Sequence, residues 1–318
     1  MGAGLNIVMV HEYTAPAKNA QGAARMVESL SRELARKGHN IYLLINERSI
    51  TDIAPIVRDV PSDCDIVHYH SASPDTHGHD PDAFRWISTP HGGGTDTPEI
   101  VNKHKHLCNH IVFVSKFCAD LYGSSCFVHV CADPNDLVFR QKKDDYFLWI
   151  GSTDWGDEKG LFISILMAKK MGIKLKIAGG GKNQQIIDHV KSSCNDKIEY
   201  LGFVNGKEKA ELIAGAKALL MLGGIPDACP LTVIESLGSG VPIIASTAGS
   251  YPELVNDKVG FICHNRVDFY KAVANIGKID PVDCRNYFLS EFTPEIAAKR
   301  YLEVYNNMIN FGDVRKSK

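Results

Sequence analysis

The sequence predicts an α/β protein built from two Rossmann-like, doubly wound domains, and three observations carry that prediction. A length of 318 residues exceeds what one ordinary core organises and suits two domains. Short apolar runs alternate with longer amphipathic ones, as right-handed βαβ units require. The alternation restarts once, where the charged segment QKKDDYFLWIG, from Gln141, enters a fresh apolar run.

The elements follow in chain order. LNIVMV, NIYLLI, DIVHYH, HIVFVS and CFVHV read as strands of the first half. YFLWIG, KLKIAG, IEYLGF, ALLMLG and VPIIAS read as strands of the second. Most are continuously apolar, which suits parallel strands covered on both faces. After the first strand, AARMVESLSRELARKG places Met26, Leu30 and Leu34 on one helical face, with Gly38 available to end the helix. The boundary falls near residues 134 to 145, which gives an N-terminal domain over 1–138 and a C-terminal domain over 139–290. The segment TPEIAAKRYLEVYNNMINF has no strand after it. Its Ala298, Tyr301, Leu302 and Tyr305 stripe needs a surface to bury against, so residues 291–318 are expected to return to the first domain.

Composition removes several function classes. A formal net charge of −2 gives no footprint for a nucleic-acid backbone. No apolar run approaches the roughly 20 residues that cross a bilayer. The N-terminal MGAGLNIVMVHEYTAP lacks a basic leader region and reads as a first strand. Nine cysteines without a C-x-x-C pair argue against a disulfide framework, and the expectation is a reduced, cytoplasmic protein.

Ligands of open α/β sheets bind outside the carboxyl ends of the strands, so the turns there hold the candidates. After the first strand, HEYTAPAKNAQGAARM contains Gly22 at the expected helix start, a place for an anion or a plain surface loop. A nicotinamide enzyme would carry G-x-G-x-x-G there, and Gly2 and Gly4 instead precede the strand, so Glu47 gains no support as a ribose acid. STPHGGGTD puts His91 at a strand's end before three glycines, a better position for a ligand contact than a helix face. His68, His70, His77, His79, His104, His106 and His110 surround it without any standard zinc spacing, and a metal is not expected. WIGSTDWGDEKGLFI offers Gly151 for a close turn and Lys159 as a point charge for a phosphate, or a solvated surface lysine. IAGGGKN is a third glycine-rich strand end but fails the P-loop spacing.

The stretch DACPLTVIESLGSG completes the set. Pro230 suits the first helical position, and the N–H groups of Leu231 and Thr232 would then face outward with the positive end of the helix dipole behind them. Asp227 and Glu235 stand on either side, as acceptors for sugar hydroxyls or as complements to the dipole.

Taken together, these turns resemble the GT-B-fold retaining glycosyltransferases of family 4 (glycosyl transferases group 1), which include bacterial mannosyl- and glucosyltransferases and sucrose synthase. Asp227 and Glu235 stand at the spacing of that family's E-x7-E motif, with aspartate in the first place. SLGSGVPIIASTAGSYPELV, GAARMVESLSRELARKGH, TPHGG, the EKG of Glu158 to Gly160 and FTPEIAAKRYLEVY are similar to further family segments, in order along nearly the whole chain.

The resemblance implies a GT-B fold, two Rossmann-like domains facing a central cleft with a terminal helix crossing back. It implies transfer of a hexose from a nucleotide-diphosphate sugar, UDP favoured over GDP, to a hydroxyl acceptor that is a glycan, a lipid-linked or a small molecule. No cofactor and no metal are implied, and peripheral membrane contact is compatible with it. Gly22, Gly151 and Ser152 with the N–H groups of Leu231 and Thr232 would approach the donor phosphates, and Lys159 would neutralise the leaving diphosphate. Glu235 would bind the ribose, Asp227 the transferred sugar, Phe203 and Val204 the base, and His91 would stand beside the sugar. His91, Asp227 and Lys159 would be the catalytic set. Two departures stand out. Asp227 is shorter than glutamate by about 1.5 Å of reach. Ser152 stands where the family has an arginine, for which Arg25 and Lys182 are the candidate replacements. The departures favour, as an alternative, a nucleotide-sugar-binding GT-B protein with little turnover; a nicotinamide-dependent oxidoreductase is the remaining one.

Overall fold

The computed structural model describes residues 4–17, 22–71, 73–74, 77–92, 109–156 and 158–315. The chain divides into two compact units, Met1–Asp133 with Phe292–Lys318, and Pro134–Glu291.

In the first unit, four parallel strands lie in the order β2-β1-β3-β4. They are β1 (Asn6–Val10), β2 (Asn40–Leu44), β3 (Ile66–His70) and β4 (Trp86–Thr89). β1 is central, with Val8 opposite Tyr42 on one side and Val67 on the other. Val8, Val10, Val67, Tyr69 and Trp86 form one core cluster, and helix α1 (Gly22–Arg36) is buried along Ala24, Met26, Val27, Leu30 and Leu34.

HIVFVS and CFVHV do not form strands, contrary to their apolar pattern. Each makes only isolated bridges, Ser88 with Ile111 and Phe113 with Phe127. Val112, Phe113, Val114, Val128 and Val130 are nonetheless buried. The runs report burial rather than ladder pairing, and between them the short helix α2 (Lys116–Leu121) starts at a Ser115 cap. Conversely, β4 forms from a stretch whose polar Ser88 and Thr89 interrupt the apolar pattern.

The second unit holds six parallel strands in the order β10-β9-β8-β5-β6-β7. These are β5 (Phe147–Ile150), β6 (Leu175–Ala178), β7 (Ile198–Gly202), β8 (Ala218–Met221), β9 (Ile243–Ser246) and β10 (Gly260–Cys263), the last without a counterpart among the apolar runs above. Helices α3 (Leu161–Met171), α4 (Gln184–Ser192), α5 (Gly206–Gly215), α6 (Leu231–Gly238), α7 (Tyr251–Leu254), α8 (Arg266–Asn275) and α9 (Pro281–Glu291) intervene or follow. β5 and β8 are buried at every position, as expected for central strands covered on both faces.

The terminal helix α10 (Pro294–Phe311) belongs to the first unit. Thr293 caps it, and Ala298, Tyr301, Val304, Tyr305 and Met308 are buried, whereas Leu302 is half-exposed and leaves the expected stripe. Polar contacts fix its register against β3 and β4. His68 Nδ1 is 2.8 Å from the Tyr305 hydroxyl, His68 Nε2 is 2.8 Å from Thr89 Oγ1, and Thr89 Oγ1 is 3.2 Å from the Tyr301 hydroxyl. Burying these groups unpaired would cost about 1–3 kcal/mol each, so the pairing selects one docking of the helix.

β3 therefore carries two fully buried histidines, His68 and His70, and burial holds both well below the usual histidine range. In the unfolded chain each takes up a proton below about pH 6.5, which the folded state refuses. Stability from these groups is level above that value and falls as pH drops through it towards 5, the slope approaching about 1.4 kcal/mol per unit for each histidine. Urea unfolding at both pH values checks this, and His68→Gln should show a shallower fall than wild type.

Candidate functional site

The second unit gathers most of the expected residues at the carboxyl ends of its strands, and glycines make the gathering possible. Gly160, between Lys159 and α3, has φ +78°, and a Cβ there would lie 2.3 Å from the Gly223 nitrogen just after β8. A Cβ on Gly223 would in turn lie 2.0 Å from the Glu158 carbonyl oxygen. The Lys159 turn and the β8 turn thus touch backbone to backbone. Gly249, φ +57°, meets the backbone of Asp227 in the same way, and the Ser250 N–H donates to the Asp227 carbonyl at 3.0 Å.

These contacts bring two expected residues together. Lys159 Nζ donates to Asp227 Oδ2 at 3.1 Å across 68 residues of sequence. Both side chains are partly exposed, so the pair is reachable by a ligand. Nearby, Tyr251 is buried at the start of α7, and burial together with the Asp227 charge pushes its hydroxyl upward.

Helix α6 begins at Leu231, with Pro230 at the capping position rather than inside the first turn. Its φ of −69° and ψ of 116° are extended, and the Val233 and Ile234 N–H groups both donate to its carbonyl. The displacement by one residue leaves the expected geometry intact. Among the described residues, no protein acceptor takes the N–H of Leu231 or Thr232.

Glu235 lies one turn into α6 and is 1% exposed. Lys209 Nζ on α5 donates to its Oε2 at 2.6 Å. The sequence pointed to Glu235 but not to Lys209, which sits in the unremarkable polar run NGKEKAEL. A lysine is a common surface residue, and only the fold shows that this one faces a buried carboxylate.

Gly151 follows β5, and its N–H donates to the Ala178 carbonyl at 3.1 Å. Ser152 follows it, exposed. Asp154 then accepts from the Lys182 and Asn183 N–H groups at 2.8 Å each, which ties the β5 turn to the glycine loop after β6 and lowers the Asp154 carboxyl. Lys182 is exposed on that loop; Arg25, the other candidate replacement for the family arginine, lies on α1 of the first unit. After β7, Phe203 is 64% exposed and packs beside Gly180, whereas Val204 is buried, so only Phe203 offers a ring to a ligand.

Gly22 and His91 belong to the first unit. Gly22 opens α1, and His91 lies two residues beyond β4, half-buried, with His70 Nδ1 3.0 Å from its Nε2. Burial and the neighbouring His11 push His91 down to about 3, so it is neutral at ordinary pH. Gly93, Gly94, His104 and His106 lie outside the described residues. His68 and Thr89 hold the terminal helix rather than a ligand, and no group of three or more metal-binding side chains occurs among the described residues. Eight cysteines there are free. No helix among them is long and apolar enough to cross a membrane.

Comparison with known proteins gives one family similarity and a fold. The model described as "Glycosyl transferases group 1" matches residues 138–279. That span lies within the second unit. No curated protein matches the chain by sequence. The fold of the whole chain is that of GT-B glycosyltransferases. AviGT4, a glycosyltransferase involved in avilamycin A biosynthesis, is similar at a TM-score of 0.77 and 20% identity, covering 96% of this chain and 98% of its own. Sucrose-phosphate synthase from Thermosynechococcus elongatus is similar at 0.75 and 14%, over 96% and 99%. HepE of Anabaena, solved with UDP and glucose, is similar at 0.71 and 11%, over 95% and 100%.

The Lys209–Glu235 pair yields a direct test. Removing one partner of a buried ion pair leaves an uncompensated charge, which costs about 3–5 kcal/mol when both are fully buried. Lys209→Met should destabilise by somewhat less, because Lys209 keeps partial exposure. The double variant Lys209→Met, Glu235→Gln should regain most of the loss in chemical denaturation.

Proposed function

We propose that this protein is a retaining glycosyltransferase that moves a hexose from a nucleotide-diphosphate sugar, with UDP as the favoured nucleotide, to a hydroxyl acceptor. The observation that carries the reading is the meeting of Lys159 and Asp227 at the strand ends of the unit that the group 1 glycosyltransferase model matches. Support for the donor class comes from HepE, solved with UDP and glucose.

In this reading the donor diphosphate takes over Lys159 from Asp227. The lysine then faces the charge that grows on the leaving phosphate, and its preorganised position supplies stabilisation where charge develops. The free N–H groups of Leu231 and Thr232, with Ser152 and Gly22, receive phosphate oxygens, and Gly151, whose N–H is held by the Ala178 carbonyl, offers close backbone approach only. Asp227, released from Lys159, accepts hydrogen bonds from the transferred sugar, and Glu235 accepts from the ribose. Phe203 stacks beside the base with Val204 behind it, and His91 contacts the sugar. The bond from the anomeric carbon to the phosphate oxygen breaks, and the bond to the acceptor oxygen forms on the same face. The acceptor proton passes to the leaving phosphate, so neither a metal nor a separate protein base is assigned. Glycan, lipid-linked and small-molecule acceptors all fit this chemistry, and a peripheral membrane contact and a cytoplasmic setting are parts of the same proposal.

Ser152 favours a second reading, donor binding with little turnover. A family arginine there would add a charge-assisted bond of about 1.5–3 kcal/mol to the diphosphate.

Thermal-shift screening with UDP-, GDP- and ADP-sugars identifies the donor, since a ligand of the folded state raises apparent stability. With that donor, Lys159→Ala should lower kcat by about ten- to a hundredfold, the loss of one charge-assisted bond. Glu235→Ala should mainly weaken donor affinity. Donor binding with neither transfer nor hydrolysis in wild type would select the second reading. Wild-type kinetics in both variants would remove the site.

A further inference from the structure

Two histidines of the first unit form a pair whose hydrogen-bond arithmetic has a definite solution. His70 ends β3 and is 1% exposed, and His91 follows β4. Their facing nitrogens, His70 Nδ1 and His91 Nε2, are 3.0 Å apart, and the rings stack with centroids 5.3 Å apart. One proton occupies that bond. On the far side of its ring, His70 Nε2 is buried and has no hydrogen-bond partner among the described residues.

Two neutral arrangements satisfy the short contact. In one, His70 donates from Nδ1 to His91 Nε2, which leaves a bare lone pair on His70 Nε2 and a proton on His91 Nδ1. In the other, His91 donates from Nε2, and His70 must then carry an unpaired N–H on its buried Nε2. Orphaned buried N–H groups are rarer than under-satisfied acceptors, so the first arrangement is selected. A charged form is opposed by the apolar burial and by His68, whose ring centroid lies 3.9 Å from that of His70. Burial first, then the neighbouring His68, His91 and His11, hold His70 well below the usual histidine range, in keeping with that choice.

We propose that His70 is a positioning residue that locks His91 in its Nδ1–H tautomer, so that His91 offers one directed N–H donor from Nδ1 to a hydroxyl oxygen of the bound sugar. The tautomer stands on the first unit alone; its use on a sugar rests on the glycosyl-transfer reading. The arrangement also accounts for a buried histidine at the end of β3, where an apolar side chain would pack without an unsatisfied nitrogen. A neutral imidazole whose far nitrogen is fixed by a second group acts as a donor of known direction, the way paired histidines are oriented elsewhere in proteins.

The test is a long-range proton–nitrogen correlation spectrum of uniformly 15N-labelled full-length protein at neutral pH. His91 is assigned by the signals lost in His91→Gln. The expected result is protonated Nδ1 and unprotonated Nε2 for both His70 and His91. A protonated Nε2 on His91 overturns the proposal, and this wild-type measurement decides it even if a variant fails to fold. His70→Asn keeps an N–H donor near the place of Nδ1 and should preserve the His91 tautomer; folded His70→Phe should shift His91 towards the Nε2–H form. An unchanged His91 tautomer in folded His70→Phe also overturns the proposal. With the donor found by thermal shift, kcat should fall about tenfold in His70→Phe and recover to within about threefold in His70→Asn. The spectrum needs no donor, so a failed transfer assay counts against the glycosyl-transfer reading and leaves the tautomer result standing.

Discussion

The constraint on which the second unit depends is close backbone approach at the carboxyl ends of its strands. The Lys159 turn can rest on the β8 turn only because Gly160 and Gly223 present no Cβ to each other. The same holds where Gly179 meets the Gly151 carbonyl, 1.7 Å from where a Cβ would stand, and where Gly249 meets Asp227. A Cβ at any of these places would overlap facing backbone and force the turns apart. Its absence lets a lysine and an aspartate from distant parts of the chain meet at 3.1 Å. The glycines thus set the charge pattern at the strand ends.

That pattern is two cation–carboxylate pairs of different character. Lys159 with Asp227 is open to solvent, so its net contribution to stability is small and its partners are exchangeable. Lys209 with Glu235 is largely withdrawn from water, so it fixes a carboxylate in place and resists exchange. An exchangeable pair suits a group that must switch from a neighbouring acid to an incoming phosphate. A fixed one suits a group that must hold one orientation through the whole cycle. The shorter Asp227 is consistent with this division, since its oxygen already lies at the lysine rather than reaching past it.

Much of this was legible in the sequence. The alternation of apolar and amphipathic runs identified parallel sheets, and the glycine-rich strand ends identified turns that approach one another closely. Lys159, Asp227 and Glu235 stood out in the sequence, and the structure brings the first two together and buries the third. Other features were hidden for physical reasons. HIVFVS and CFVHV look like strands because burial alone makes a run apolar, and pairing leaves no separate trace. β4 was visible only as a strand end before His91, because Ser88 and Thr89 break its apolar run, and β10, a short strand opening on glycine, was missed. Lys209 was hidden because its meaning depends on a partner 26 residues away. His70 was visible as a member of a strand pair with His68, but their opposite duties, one holding the terminal helix and one facing His91, emerge only from three-dimensional partners.

In the proposed function, the strand ends around Lys159, Asp227 and α6 receive a nucleoside diphosphate. The most direct measurement is an amide proton–nitrogen correlation spectrum of deuterated protein, titrated with whichever of UDP, GDP or ADP raises the melting temperature most. Saturable shifts are expected at Ser152, Leu231 and Thr232, the amides left open to a phosphate, whereas the Gly151 N–H already donates to the Ala178 carbonyl at 3.1 Å. Saturation of binding with those three amides unmoved would contradict this placement of the diphosphate.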